Sequence, residues 1–88
     1  MPDASPNSPE ARVVRVVRRL LAERSLSEAI AAHDDLRLAG LTSLDMVSLV
    51  LSVEAEFELL VPEDSIQPAH FRSVASISSL VTSLLKSA

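Results

Sequence analysis

The sequence predicts an all-α fold, a small four-helix bundle of three principal helices and one short helix. Three observations carry this expectation. Apolar residues recur at intervals of three and four in three separate stretches. A single glycine in 88 residues leaves little for tight hairpin turns. The apolar share is aliphatic, with no Trp or Tyr and only Phe57 and Phe71 as aromatic residues, so the core is built from Val, Leu, Ile and Ala.

The first helix is expected over residues 9–24. Ser8-Pro9-Glu10 reads as an N-cap, a proline at the first helical position and an acid in the first turn. Val13, Val16, Val17, Leu20 and Leu21 then mark one face, and Arg12, Arg15 and Arg19 a solvated opposite face. Residues 25–42 form a long connection with room for a short helical piece around Ser27 to Ala32. Leu36, Leu38 and Leu41 are expected to pin it to the core. Asp34-Asp35 reads as an exposed acidic turn, because no third residue at a recognisable spacing completes a metal site.

The second helix is expected over residues 43–58, with Thr42 as N-cap and Asp45 closing a short capping box. Met46, Leu49, Val50, Val53 and Phe57 follow core spacing. Leu44, Val47 and Leu51 fall on a neighbouring stripe that continues to Glu54 and Glu58. That second stripe either widens the core contact or forms a docking surface, apolar at one end and acidic at the other. Glu54 and Glu58 stand one turn apart as like charges, which favours a cationic partner or a weakly held divalent cation. Val61-Pro62 ends this segment, and residues 63–71 form a loop with at most a helical turn before Pro68. Ser73 caps the last helix, where Val74, Ile77, Leu80, Val81 and Leu84 face inward and Ser76, Ser79 and Ser83 outward.

A chain of this length makes one domain, expected over residues 9–88 behind a disordered tail of residues 1–8. The absence of cysteine excludes disulfides, thiolate metal sites and a cysteine nucleophile. No secretory pattern opens the chain, and Ser48, Ser52, Ser78 and Ser79 break apolar runs, so that none approaches the ~20 residues that span a bilayer. A soluble, cytoplasmic monomer is expected, with no membrane association. Net charge is −4, divided between a basic first segment, with five arginines against Asp3, Glu10 and Glu23, and an acidic remainder. The acidic part argues against nucleic acid and for a partner with a basic surface.

Ser43 lies in Gly40-Leu41-Thr42-Ser43-Leu44-Asp45, where the only glycine leads into a helix start. Helix N-termini favour phosphate, because their first N–H groups are unpaired and the dipole is positive there. Most of the other thirteen serines have ordinary roles as caps, helix surface or loop polarity. On the residues alone, Ser43 is either an ordinary first-turn serine or a modified one. A catalytic serine is not supported: His33 and His70 stand in no triad spacing, and the flanking glycines of a nucleophile elbow are missing. The chain is read as a non-enzyme.

At these residues the sequence resembles the acyl and peptidyl carrier proteins, small helical bundles that carry phosphopantetheine on a serine. Leu38-Ala39-Gly40-Leu41-Thr42-Ser43-Leu44-Asp45 is similar to the family's modification motif. Val53-Glu54-Ala55-Glu56-Phe57, Val61-Pro62 and Ser73-Val74 follow in the family's order, so the likeness spans roughly residues 9 to 86. The resemblance implies that Ser43 receives phosphopantetheine from coenzyme A through a phosphopantetheinyl transferase, making the chain a phosphoprotein. The arm's thiol then holds an acyl or aminoacyl group as a thioester. It implies docking of partner enzymes on Leu44, Asp45, Val47, Leu51, Glu54, Glu58 and Val61. Those partners are the transferase, an acyl- or aminoacyl-activating ligase and downstream acyl-processing enzymes. The cargo is an acyl group of lipid, fatty-acid or specialised biosynthesis, or an activated amino acid; an unmodified interaction module is the alternative. Thr42 stands where the family commonly has aspartate, and Ser48 where carriers of primary metabolism often have an acid, which suggests a dedicated partner set.

Overall fold

The computed structural model describes residues 7–87. Of the expected tail, residues 1–6 lie outside the described residues, whereas Ser8 is buried as an N-cap. Three helices follow: α1 (Pro9–Glu23), α2 (Ser43–Phe57) and α3 (Val74–Ser87), with a 3-10 turn at Glu63–Ser65. α1 packs against both α2 and α3.

α1 starts where Ser8 accepts a hydrogen bond from the Ala11 N–H and Pro9 fixes the first helical φ. It ends without glycine. Ser25 takes the left-handed conformation (φ 56°), and the Leu26 and Ser25 N–H groups return to the carbonyls of Leu21 and Ala22. Val13, Val16, Val17 and Leu21 are buried, as their spacing predicts. The arginine face is less simple. Arg12 donates from Nε to Glu56 at 2.8 Å, and its guanidinium lies 4.4 Å from the centre of the Phe57 ring, tying α1 to the end of α2.

The 24–42 connection contains no helix among its residues, so the short piece around Ser27 to Ala32 does not form. Its middle is stitched to the start of α3 instead. Leu36 N–H donates to the Arg72 carbonyl at 2.7 Å, and the Ala32 carbonyl accepts from Ala75 N–H at 2.8 Å. Leu36 and Leu41 are buried, but Leu38 is 88% exposed and pins nothing. Asp34 and Asp35 are spent on turns: Asp34 accepts from Ala31 N–H and Asp35 from Arg37 N–H. α3 opens on a reciprocal pair in which Ser73 Oγ accepts from Ser76 N–H and Ser76 Oγ from Ser73 N–H. Ser76 therefore closes a cap as well as lying on the outer side of α3. The core joins Leu49, Val50, Val53 and Phe57 of α2 to Phe71 and to Val74, Ile77, Leu80 and Val81 of α3, over the buried stripe of α1.

Candidate functional site

The chain reaches α2 through Gly40, whose φ of +110° is open to glycine and strained for any other residue. A Cβ there would also meet Leu26 Cδ2 at 2.9 Å. Leu41 is buried next, and Thr42 is extended as N-cap. The capping box forms as expected: Thr42 Oγ1 accepts from Asp45 N–H at 3.3 Å, and Asp45 Oδ2 accepts from Thr42 N–H at 2.7 Å. Thr42 Oγ1 also donates to that oxygen at 3.0 Å. Arg24, capping the far end of α1, donates from Nη1 to the same carboxylate. The Arg24 guanidinium, followed by the Thr42 N–H, holds the Asp45 carboxyl below the usual carboxylate range.

These bonds leave Ser43 alone at the rim. It is the first residue of α2 and exposed, and its hydroxyl has no hydrogen-bond partner among the described residues. Thr42 and Asp45 do the capping, so Ser43 is not needed for it. Below it lies a cavity of about 100 Å³, walled by Leu36, Leu41, Met46, Leu49, Pro68 and Phe71, with Thr42, Ser43, Arg37 and Arg72 completing the lining. Neither histidine lines it, so the cavity brings Ser43 no imidazole base. Among the described residues no group of three or more His, Asp or Glu gathers as a metal site.

The site suits a phosphoester in three respects. The hydroxyl is free, the helix dipole points its positive end at it, and two arginines, Arg37 and Arg72, line its cavity. An attached arm meets no wall at an exposed first-turn position.

The second stripe is open. Leu44 is 81%, Val47 56% and Leu51 60% exposed, so these side chains do not widen the core contact. Two residues expected on the docking surface are not surface residues. Asp45 is buried, drawn inward by Arg24 and by its own capping box, and Val61 is buried in the core cluster. Glu54 is half-buried and its Oε2 accepts from Val61 N–H at 2.9 Å. Glu58 leaves the helix in the left-handed conformation (φ 52°). One member of the like-charge pair thus has a backbone donor within the chain. Sequence reasoning missed the exposure of Leu60 and Leu38 and the arrival of Arg24, Arg37 and Arg72 around the serine. Pairing across the 24–42 connection leaves no periodic signal in a single sequence.

The model of the family described as "Phosphopantetheine attachment site" matches residues 11–81. Aminoacyl carrier protein 2 of Bradyrhizobium diazoefficiens is 40% identical over 76 residues, covering 86% of this chain and 85% of that protein. Aminoacyl carrier protein 1 of the same organism is 36% identical over 77 residues, covering 88% and 86%. Among solved structures, the chain resembles one from the crystal structure of Bradyrhizobium japonicum glycine:[carrier protein] ligase complexed with its cognate carrier protein and an analogue of glycyl adenylate. The TM-score is 0.72 at 35% identity, over 84% of this chain and 96% of that one. A chain from the same ligase complexed with glycylated carrier protein gives 0.69 at 35% identity, over 81% and 96%.

Proposed function

This chain belongs to the phosphopantetheine-binding carrier proteins, a non-catalytic family, and from that premise we propose that Ser43 bears the arm and that the cargo is an amino acid. The observation that carries the first part is the free Ser43 hydroxyl on the first residue of a helix whose cap is made entirely by its neighbours. When bound, the arm supplies the thiol that this cysteine-free chain lacks and holds the cargo as a thioester. The chain's own residues do the placing: Gly40 turns the backbone, Leu41 anchors it, and Thr42 and Asp45 start the helix under the serine.

An aminoacyl cargo is favoured over a fatty acyl chain by two considerations. The relatives named above are aminoacyl carriers, and one related structure holds a carrier that is glycylated. The space below Ser43, about 100 Å³, is well short of the roughly 300 Å³ at which sites for larger ligands begin, which suits a small group better than a long chain. An aminoacyl-activating ligase is the corresponding partner, with the transferase and downstream acceptors beside it. Leu44, Val47 and Leu51, with Glu58 and the half-buried Glu54 at the far end, form the surface on which they dock.

The test is direct. Incubation with coenzyme A, Mg²⁺ and a broad-specificity phosphopantetheinyl transferase adds one phosphopantetheine to the intact mass, and Ser43→Ala adds none. The loaded protein then gains an aminoacyl mass with an ATP-dependent glycine:carrier protein ligase. A wild type that stays bare with two different transferases refutes the Ser43 assignment. A loaded protein that accepts fatty acyl groups and no amino acid refutes the cargo.

A further inference from the structure

Residues 25–88 hold nine carboxylates and only three cations, Arg37, Arg72 and Lys86. Two of the three line the cavity that Ser43 lines. They come from different parts of the chain, one from the connection before α2 and one from the residues before α3. The Leu36 N–H bond to the Arg72 carbonyl, 2.7 Å, fixes the two segments side by side at that cavity. Arg37 is mostly exposed and pairs loosely with Asp35, Nη2 to Oδ2 at 3.4 Å. Asp35 is held below its ordinary range by the Arg37 N–H and guanidinium, with a further contribution from Arg72. Both guanidinium groups therefore act on the same small region. In a domain that is otherwise acidic, two cationic residues thus line the cavity that Ser43 also lines.

We propose that Arg37 and Arg72 form a cationic rim that holds the phosphodiester borne by Ser43 and directs the arm over the cavity on the Phe71 side, away from the Leu44, Val47 and Leu51 face. The inference rests on the assignment of Ser43. Guanidinium groups suit this task because they stay charged and present several donors in a plane to phosphate oxygens. None of the three apolar docking residues lines the cavity, so an arm held by the rim leaves that face free for a partner. Asp35 keeps Arg37 near the rim before the arm is attached and yields it to the phosphate afterwards.

The experiment compares unloaded and phosphopantetheine-loaded protein in three forms: wild type, the double variant Arg37→Gln/Arg72→Gln and the charge-preserving double variant Arg37→Lys/Arg72→Lys. The readouts are the thermal midpoint and the ³¹P resonance of the phosphodiester, at about 0.01 M and about 1 M salt, where the screening length falls from roughly 30 Å to 3 Å. At low salt, loading leaves the wild-type midpoint unchanged or raised and lowers that of the Gln variant, because an uncompensated negative charge joins an acidic domain. The Lys variant follows the wild type, the ³¹P resonance shifts in the Gln variant, and at high salt the three forms converge. Equal loading effects and one ³¹P position in all three forms at low salt overturn the rim while leaving Ser43 assigned. A wild type that takes up no phosphopantetheine overturns the Ser43 assignment itself, and the rim with it.

Discussion

Arg24 and Asp45 join the end of the first helix to the start of the second. The guanidinium of the residue that caps α1 donates to the carboxylate that closes the N-cap of α2, across the whole 24–42 connection. That carboxylate also takes both donors of Thr42, so three hydrogen bonds converge on one buried side chain two residues from Ser43. The serine's position is thereby tied to the body of the bundle rather than to the loop that delivers it.

The convergence gives an acid-sensitive start to α2. Asp45 titrates below the ordinary aspartate value of about 3.9 in the folded chain, because Arg24 and the Thr42 N–H favour the charged form. Its contribution is therefore complete above that value and is lost as pH falls through the lower, folded-state one. Chemical denaturation from pH 7 down to about pH 2 should show wild type and Asp45→Asn converging in stability at the acid end, with wild type more stable at neutrality. Parallel curves would mean that the carboxylate's charge contributes nothing.

The Thr42 hydroxyl accounts for a separate part of the cap. Thr42→Ala removes the acceptor for Asp45 N–H and should cost about 1 kcal/mol, whereas Thr42→Ser, which keeps the oxygen, should cost much less. For a domain of this size the alanine variant's melting temperature should fall by about 4 to 8 °C. Phosphopantetheine uptake by the serine variant should match wild type.

Gly40 should tolerate no side chain. Its φ of +110° makes alanine strained there by about 1 to 2 kcal/mol, and the added Cβ meets Leu26 Cδ2 at 2.9 Å. Adding Leu26→Ala to Gly40→Ala removes the contact and leaves the backbone strain. The double variant should therefore not recover wild-type stability in urea unfolding.

The helices were legible in the sequence because the devices that make them are local. Ser8-Pro9 starts α1, Thr42 and Asp45 start α2, Ser73 starts α3, and three- and four-residue spacing selected nearly every buried position. What the sequence hid depends on chain segments meeting in space. Leu38 has the residue type of a core anchor, but the turn made by Asp35 and Gly40 directs it outward while Leu36 and Leu41 go in. Asp45 and Val61 look like surface residues by position, and are taken inward by Arg24 and by the core below α2. Ser43 was singled out by its place after the glycine, yet the two arginines beside its cavity are thirty-five residues apart and had no local mark.

The exposed stripe of α2 should separate binding from folding. Replacing Leu44, Val47 and Leu51 with glutamine removes apolar surface that already faces water, so each change should alter stability by no more than about 0.5 kcal/mol. Leu49, on the opposite side and 1% exposed, should lose about 2 to 5 kcal/mol on substitution by alanine. Steady-state loading by an aminoacyl ligase should show the reverse ranking. The stripe variants should lower kcat/KM tenfold or more through KM, and equal kinetics in all three would remove the stripe from the docking surface.

Glu54 and Glu58 share the acidic end of that surface, but their substitutions should behave differently. Glu54 accepts the Val61 N–H at 2.9 Å, and this bond holds the chain where it leaves α2. Glu54→Lys therefore loses an internal hydrogen bond as well as a surface charge, at a cost of about 1 kcal/mol. Any slowing of ligation in that variant mixes a shifted helix end with a lost contact. Glu54→Gln keeps an acceptor oxygen and should leave stability nearly unchanged. Glu58 is exposed, just past the last helical residue. Glu58→Lys is the cleaner charge reversal: it should leave urea unfolding unchanged and weaken ligation in a manner that salt diminishes, because exposed charges act through a screened field. If Glu54→Lys slows ligation while Glu58→Lys and Glu54→Gln do not, partners at this end read the shape of the α2 exit and not its charge.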